Sequence, residues 1–187
     1  EAAKDIIQSN QDRREVDQDI LAEALEMLDT NTNNKSTVLF AKHWHKGVVG
    51  IVASRLTEQY YRPTVVLTKS GDIVAGSARS VVGFNLYEAI HACKEYLLGY
   101  GGHFAAAGMT LEEKNVHAFA AAFEKVVSTT LLPEQKIPVI EIDLEIEMTA
   151  LNWNLYKLIG QMEPFGPDNL RPVFLLRGVA DDFTLWQ

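Results

Sequence analysis

The chain has little of what marks several large protein classes. Its 187 residues include a single cysteine, Cys93, so no internal disulfide can form, and this usage fits a reducing cytoplasm. The longest apolar runs are far too short to span a bilayer, and no membrane partner is expected. The chain also has no P-loop, no dinucleotide-binding glycine fingerprint and no Cys-x-x-Cys pair. These absences argue against the common nucleotide, redox and secreted disulfide-rich classes.

Metal-binding patterns are also missing. Five histidines are present, and none pairs with a nearby carboxylate at a spacing typical of metal ligands. A catalytic divalent ion needs a cluster of Asp and His side chains, and the sequence contains no such cluster. We therefore expect no catalytic residue and no cofactor within this chain, and no self-sufficient hydrolase.

Charge is distributed unevenly along the chain. The net charge is −8, which argues against indiscriminate nucleic-acid binding by the whole chain. Residues 1–30 carry nine acids and three bases, and residues 112–147 carry eight acids and three bases. Residues 42–79 instead carry six bases and two acids, although Arg62 and Lys69 are expected to be solvated surface residues. A local basic face on an acidic body would direct an anionic ligand to one place.

Hydrophobic patterning predicts an α/β domain between a long helix and a second, smaller segment. The apolar stripe of residues 20–28 predicts one helix over 1–29. Strands then alternate with helices to about residue 130. The expected strands are 38–41, 64–68, 72–77 and 109–111, and the expected helices start near Gly47, after the cap Asn85, and near Glu112. After Pro133 we expect a half-exposed strand from Ile140, a helix over 151–162 and a strand over 172–179.

The segment from Gly101 to Gly108 is the most distinctive part of the chain. Its three glycines, one histidine and run of alanines lie between two segments with helical patterning. Glycine leaves main-chain N–H groups uncovered, and consecutive uncovered N–H groups can bind phosphate. The alternative is a tight turn that feeds a strand, with His103 a buried core residue. Local sequence alone favours this alternative.

Three further places could contribute to an anion site. Ser77 and Arg79 share one face if their strand continues, and a hydroxyl beside a guanidinium matches phosphate; the alternative is a surface salt bridge. His45 precedes a predicted helix start, where backbone N–H groups attract anions. Trp44 beside it is expected to be a core residue. Arg13 is a weaker candidate, since an arginine on the first helix is more often part of a solvated face.

Taken together, these motifs resemble those of a known family. The run Trp44–Leu56, the pair Arg62–Pro63, the run Gly76–Ser80 and the glycine segment occur in the order typical of the DHHA1 domain of the RecJ family of single-strand-specific DNA exonucleases. The segments 163–166 and 171–174 are similar to the entry of the OB-type domain that follows DHHA1 in that family.

The resemblance implies a fold and a set of domains. It implies a DHHA1-type α/β domain with a mixed sheet flanked by helices over 35–131. A connecting helix would occupy 1–30, and a partial, truncated OB-like β segment would occupy 137–187. The chain is thus expected to be part of a longer protein.

The resemblance also implies a function. In this family a separate DHH domain holds Mn²⁺ or Mg²⁺ and performs hydrolysis, whereas DHHA1 grips the substrate's phosphates. Carried over, Ser77, Arg79 and His103 would bind phosphate, Gly101 and Gly102 would allow close backbone approach, and His45 and Arg13 are further candidates. The longer protein would cleave single-stranded DNA from 5′ to 3′ in repair and recombination, with a helicase and a single-strand-binding protein as candidate partners. This part alone would bind without cleaving.

Two alternatives stay open at this stage. One is a DHH/DHHA1 phosphoesterase of short oligonucleotides or cyclic dinucleotides, although the segment after residue 138 argues against it. The other is an alanyl-tRNA synthetase-like module that binds tRNA, which the Trp44–Leu56 motif fits poorly.

Overall fold

The chain folds into two compact units, Glu1–Pro138 and Val139–Gln187. The fold is that of a computed structural model, which describes residues 16–28 and 33–180. Within those residues no helix is both long enough and apolar enough to cross a bilayer. The predicted domain limits of 1–30, 35–131 and 137–187 stay a prediction.

The first unit is built on a mixed five-stranded sheet. Its strands are β1 (Thr37–Ala41), β2 (Thr64–Ser70), β3 (Ile73–Arg79), β4 (Leu97–Gly102) and β5 (Ala106–Leu111). They are arranged in the order β1-β2-β3-β5-β4. Only the β1–β2 pair is parallel, because helix α2 (Val49–Tyr60) connects those two strands; the other pairs are antiparallel. The predicted mixed sheet is confirmed.

Two helices pack against each face of this sheet. Residues 16–27 form helix α1, which packs with α2 through Ile20 and Ala24 on the face that carries Val66 of β2. The opposite face is covered by α3 (Leu86–His91) and α4 (Val116–Thr130), whose apolar stripes surround the paired side chains of β2, β3 and β5. Short 3₁₀ turns lie at Lys94–Tyr96, Glu113–Asn115 and Pro133–Lys136.

Several local expectations are confirmed by side-chain contacts. Asn85 caps α3, since its side chain accepts a hydrogen bond from the Glu88 N–H at 3.2 Å. Cys93 is fully buried, and burial raises the pKa of its thiol to about 11, so it is a packing residue. Trp44 is 2% exposed, as expected of a core residue.

The structure corrects the expected ends of several elements. The helical pattern after Asn85 continues only to His91, and Leu97 lies in β4 rather than on the helix. The glycine segment therefore does not lie between helices; it forms the hairpin of β4 and β5. Tertiary pairing overrides the local pattern here, since β4 gains its stability from cross-strand contacts.

The second unit contains less regular structure than the alternation predicts. Its elements are a 3₁₀ turn (Met148–Ala150), α5 (Trp153–Gly160), and the short parallel strands β6 (Leu144–Glu145) and β7 (Phe174–Leu175). Backbone bonds of Asp143 to Val173 and of Ile146 to Leu175 extend this pairing by one residue at each end of β6. The expected strands over 140–147 and 172–179 were wrong in length, because a strand persists only where a neighbour satisfies its N–H and C=O groups.

Candidate phosphate-binding site

Two paired, exposed glycines lie on the face of the sheet that carries α2. Ser77 of β3 pairs with Gly108 of β5, which in turn pairs with Gly101 of β4, so the three residues form one row across the sheet. Both glycines are exposed, and a Cβ added at Gly101 would meet no atom within 4 Å. We call Gly101 and Gly108 the glycine shelf. A flat ligand group could approach the backbone there without meeting side chains of the described residues.

Ser77 and Arg79 stand beside the glycine shelf. They lie two residues apart on β3, so their side chains share a face, as predicted. A Cβ added at Gly50 would lie 3.2 Å from Arg79 Nη2 and 3.4 Å from Ser77 Oγ. The first turn of α2 therefore rests against this pair, and Gly50 leaves both side chains room.

Both side chains keep donors that no described residue accepts. The Arg79 guanidinium donates from Nη1 to the Ala78 carbonyl oxygen at 2.9 Å, which fixes one arm of the fork. Across residues 16–28 and 33–180, Arg79 forms no ion pair and the Ser77 hydroxyl forms no hydrogen bond. The salt-bridge alternative for Arg79 therefore finds no support in the described residues. A half-buried guanidinium and a hydroxyl with free donors suit an anion.

The hairpin turn places His103 at the same end of the sheet as Arg79. Ala106 pairs with Arg79 on one side, and its carbonyl oxygen accepts the His103 N–H at 2.8 Å on the other. The His103 side chain is exposed, so the buried-core alternative was wrong. Gly102 has a φ of 155°, and a Cβ there would lie 2.4 Å from the Ala106 carbonyl oxygen. Only glycine fits this turn.

His45 lies in the loop that precedes α2. Its Nδ1 accepts a hydrogen bond from the Gly47 N–H at 3.1 Å, and the side chain is exposed. Helix α2 starts with no side-chain cap and no acidic residue in its first turn. The N–H groups of Val48 and Ile51 bond to the carbonyl oxygens of His45 and Val48, so at this helix start only the N–H groups of Val49 and Gly50 have no partner among the described residues. Lys46 in the same loop is exposed.

The structure groups the predicted residues into three places. Ser77, Arg79 and Gly101 share one sheet face, Gly102 and His103 form the adjacent turn, and His45 lies ahead of α2. Arg13 lies outside the described residues. The sequence did not predict that Gly50 lies against Ser77 and Arg79. The one signal for this approach in the sequence is the glycine itself, three residues after Gly47.

Most of the basic residues between 42 and 79 contact other described residues of the chain. Four of the six bases of residues 42–79 are engaged: Lys42 with Glu113 at 2.5 Å, Arg55 with Asp17 at 2.6 Å, Arg62 Nε with Thr37 Oγ1 at 2.6 Å, and Lys69 with Glu113 at 3.9 Å. Arg62 is thus a half-buried structural residue, and its expected solvation was wrong. The hydrogen bond from Lys42 lowers the pKa of Glu113. Lys46 and Arg79 form no ion pair with any residue in 16–28 or 33–180.

The described residues do not provide a metal centre. Within 16–28 and 33–180, no three His, Cys, Asp or Glu side chains come together in a group that could hold an ion.

Comparison with known proteins assigns both parts of the chain to known domain families. Residues 33–129 match the DHHA1 domain and residues 142–184 match the RecJ OB domain. The chain belongs to the DHHA1 domain family, and its DHHA1 domain is followed by a segment that matches the RecJ OB domain.

The similar proteins identify a narrower group than the domain family does. The chain is 36% identical over 183 residues to the single-stranded-DNA-specific exonuclease RecJ of Bacillus subtilis, covering 96% of this chain and 23% of that protein. It is 32% identical to RecJ of Dickeya dadantii, covering 92% of this chain and 32% of that protein. The crystal structure of RecJ with Mn²⁺ from Thermus thermophilus matches with a TM-score of 0.79 at 28% identity, covering 92% of this chain and 25% of that one.

These relatives confirm the resemblance that the motifs predict. The chain spans about a quarter to a third of the length of the curated relatives it matches. Crystal structures of the Thermus protein are described with Mn²⁺ and with Mg²⁺.

Proposed function

We propose that this chain is the phosphate-gripping part of a metal-dependent 5′-to-3′ exonuclease that acts on single-stranded DNA. The observation that carries the proposal is the pair of free donors, on Ser77 and Arg79, beside the glycine shelf. The guanidinium would bind two phosphate oxygens, and the hydroxyl would donate to a third or to a bridging atom. His103 and His45 would contact neighbouring phosphates, and Arg13 is a further candidate.

The chemical step belongs elsewhere in this proposal. Hydrolysis would take place in a DHH domain of the longer protein, which would hold Mn²⁺ or Mg²⁺. The chain alone would bind DNA and not cleave it. The names of the relatives support single-stranded DNA as the substrate class. Action in the cytoplasm during repair and recombination, with a helicase and a single-strand-binding protein as partners, completes the proposal.

The RecJ OB match favours this substrate over the alternatives. An OB-type segment suits binding along a strand of several nucleotides, whereas a phosphoesterase of short oligonucleotides or cyclic dinucleotides needs no such extension. The substrate class is thus expected to be an extended strand.

Binding of a 5′-phosphorylated thymidine oligonucleotide to the chain and to its Arg79→Ala variant tests the proposal. Loss of a charged bidentate donor predicts a fall in affinity of about ten- to a hundred-fold, and a smaller dependence on salt. Lys125→Ala is the matched control, because Lys125 is an exposed cation on α4, on the opposite side of the sheet. Equal affinity of the Arg79→Ala variant and the unchanged chain would overturn the proposal, as would cleavage of DNA by the chain alone.

A further inference from the structure

The loop that carries His45 is tied to α1 through one carboxylate. The Trp44 indole Nε1 donates to Glu23 Oε2 at 2.8 Å, and the His43 Nε2 lies 2.8 Å from the same oxygen. Because a carboxylate oxygen only accepts, the His43 Nε2 must carry the proton. Two consecutive residues of the loop thus meet one acidic side chain of the helix.

Further hydrogen bonds hold Trp44 and His45 in place. Trp44 is 2% exposed, and its carbonyl oxygen accepts a hydrogen bond from the buried Thr68 hydroxyl at 2.6 Å. The next residue, His45, has its own carbonyl oxygen bonded to the Val48 N–H at 3.0 Å and its ring bonded to the Gly47 N–H. Because His45 directly follows Trp44 in the chain, the position of Trp44 constrains the position of the His45 backbone.

The electrostatics agree with a persistent contact. The hydrogen bond from Trp44, with a second from His43, lowers the pKa of Glu23, so the carboxylate stays charged near neutral pH. Helix α1 is held in place separately, because Asp17 is buried and pairs with Arg55 of α2 at 2.6 Å. Glu23 thus projects from a helix that is itself anchored.

We infer that Glu23 is a positioning residue, which holds the His45 loop in the conformation that binds phosphate through its contacts with His43 and Trp44. This inference rests on the proposed phosphate-binding function of His45. It gives α1 a role in ligand binding that does not depend on touching the ligand.

A double-mutant cycle tests the inference on the full chain, with a 5′-phosphorylated thymidine oligonucleotide as the probe. Glu23→Gln removes the charge and keeps the size of the side chain, and we expect affinity to fall between about two- and ten-fold. If Glu23 acts through the loop, that loss disappears in the His45→Ala background and persists in the Arg79→Ala background. Glu26→Gln is the matched control, because Glu26 is an exposed acid of the same helix.

A second variant separates positioning from folding. Trp44→Phe keeps an aromatic ring in the core and removes the indole N–H together with the five-membered ring that carries it, so it is expected to reproduce the affinity loss if Glu23→Gln fails to fold. An undiminished loss in the His45→Ala background, or no loss in either variant while both remain folded, would overturn the inference. If instead Arg79→Ala binds like the unchanged chain, the proposed function itself fails, and the two failures are therefore distinguishable.

Discussion

At the scale of single residues, the two adjacent glycines of the hairpin have different physical roles. Gly101 faces open space on the glycine shelf, whereas Gly102 is pressed against the backbone of Ala106 and Ala107. A side chain at the first position would occupy the place of a ligand. A side chain at the second would displace the chain itself. Function and stability can therefore be separated within two consecutive residues.

This difference gives a paired prediction. Gly101→Val is expected to keep or raise the melting temperature, because valine favours strands and a Cβ at this position meets no atom within 4 Å, and to weaken oligonucleotide binding by filling the shelf. Gly102→Ala is expected to lower the free energy of unfolding by about 1–3 kcal/mol through backbone strain. Thermal unfolding and oligonucleotide titration of both variants check the pair. A Gly101→Val variant that binds as tightly as the unchanged chain would contradict the open-shelf interpretation.

Residue-level chemistry was partly predictable from the sequence. Ser77 and Arg79 could be placed on one face because strand periodicity fixes that relation wherever a strand continues. The contact of Gly50 with both side chains could not be predicted, because it depends on how α2 packs across the sheet. Periodicity specifies which face a side chain occupies and leaves open what packs against that face.

At the scale of elements, Glu124 connects α4 to the segment that leads into β1. Its carboxylate accepts the N–H groups of Lys35 and Ser36 at 2.9 and 2.8 Å, and the hydroxyls of Ser36 and Ser128 at 2.6 Å each. Partial burial alone would raise the pKa of Glu124. The four hydrogen bonds outweigh burial, and the pKa is lowered.

The lowered pKa of Glu124 fixes the sign of a pH dependence. The folded carboxyl releases its proton more readily than the unfolded one, so its stabilising effect is complete above the unfolded pKa and is lost as pH falls through the folded pKa. Glu124→Gln is expected to lower the free energy of unfolding at pH 7 by about 1–2 kcal/mol, a range reduced for partial exposure. The difference should shrink below about pH 4.

Denaturant unfolding at a series of pH values measures this effect. Glu134→Gln is the control, since Glu134 is an exposed acid just beyond the same helix. A difference between Glu124→Gln and the unchanged chain that stays constant from pH 7 to pH 3 would contradict the role assigned to the carboxylate.

Elements differed in how well the sequence predicted them. Strands β1 and β2 and helix α4 follow from β-branched runs and from a helical apolar stripe. Strand β4 was missed because its residues include three glycines, which have little intrinsic preference for strands and resemble a turn. Its strand conformation comes from pairing with β5, a long-range contact that no local pattern specifies.

At the scale of the whole chain, the proposed phosphate site is a local exception on an acidic protein. The net charge is −8, yet internal partners engage four of the six bases of the central basic region. Arg79, which forms no ion pair with any residue that the structure describes, lies beside the glycine shelf, and Lys46 lies ahead of α2. Repulsion from the rest of the surface would disfavour nonspecific contacts and leave this site as the preferred one.

The central claim is that phosphate binds on the glycine shelf beside Ser77 and Arg79. The most direct measurement is NMR titration of the isotope-labelled chain with a 5′-phosphorylated thymidine oligonucleotide, following backbone amide signals. The account predicts concentration-dependent shifts at Gly50, Gly101 and Gly108 that the Arg79→Ala variant loses, with the signals of α4 unchanged. Shifts confined to residues 139–180, or no shifts on the shelf at saturating oligonucleotide, would contradict it.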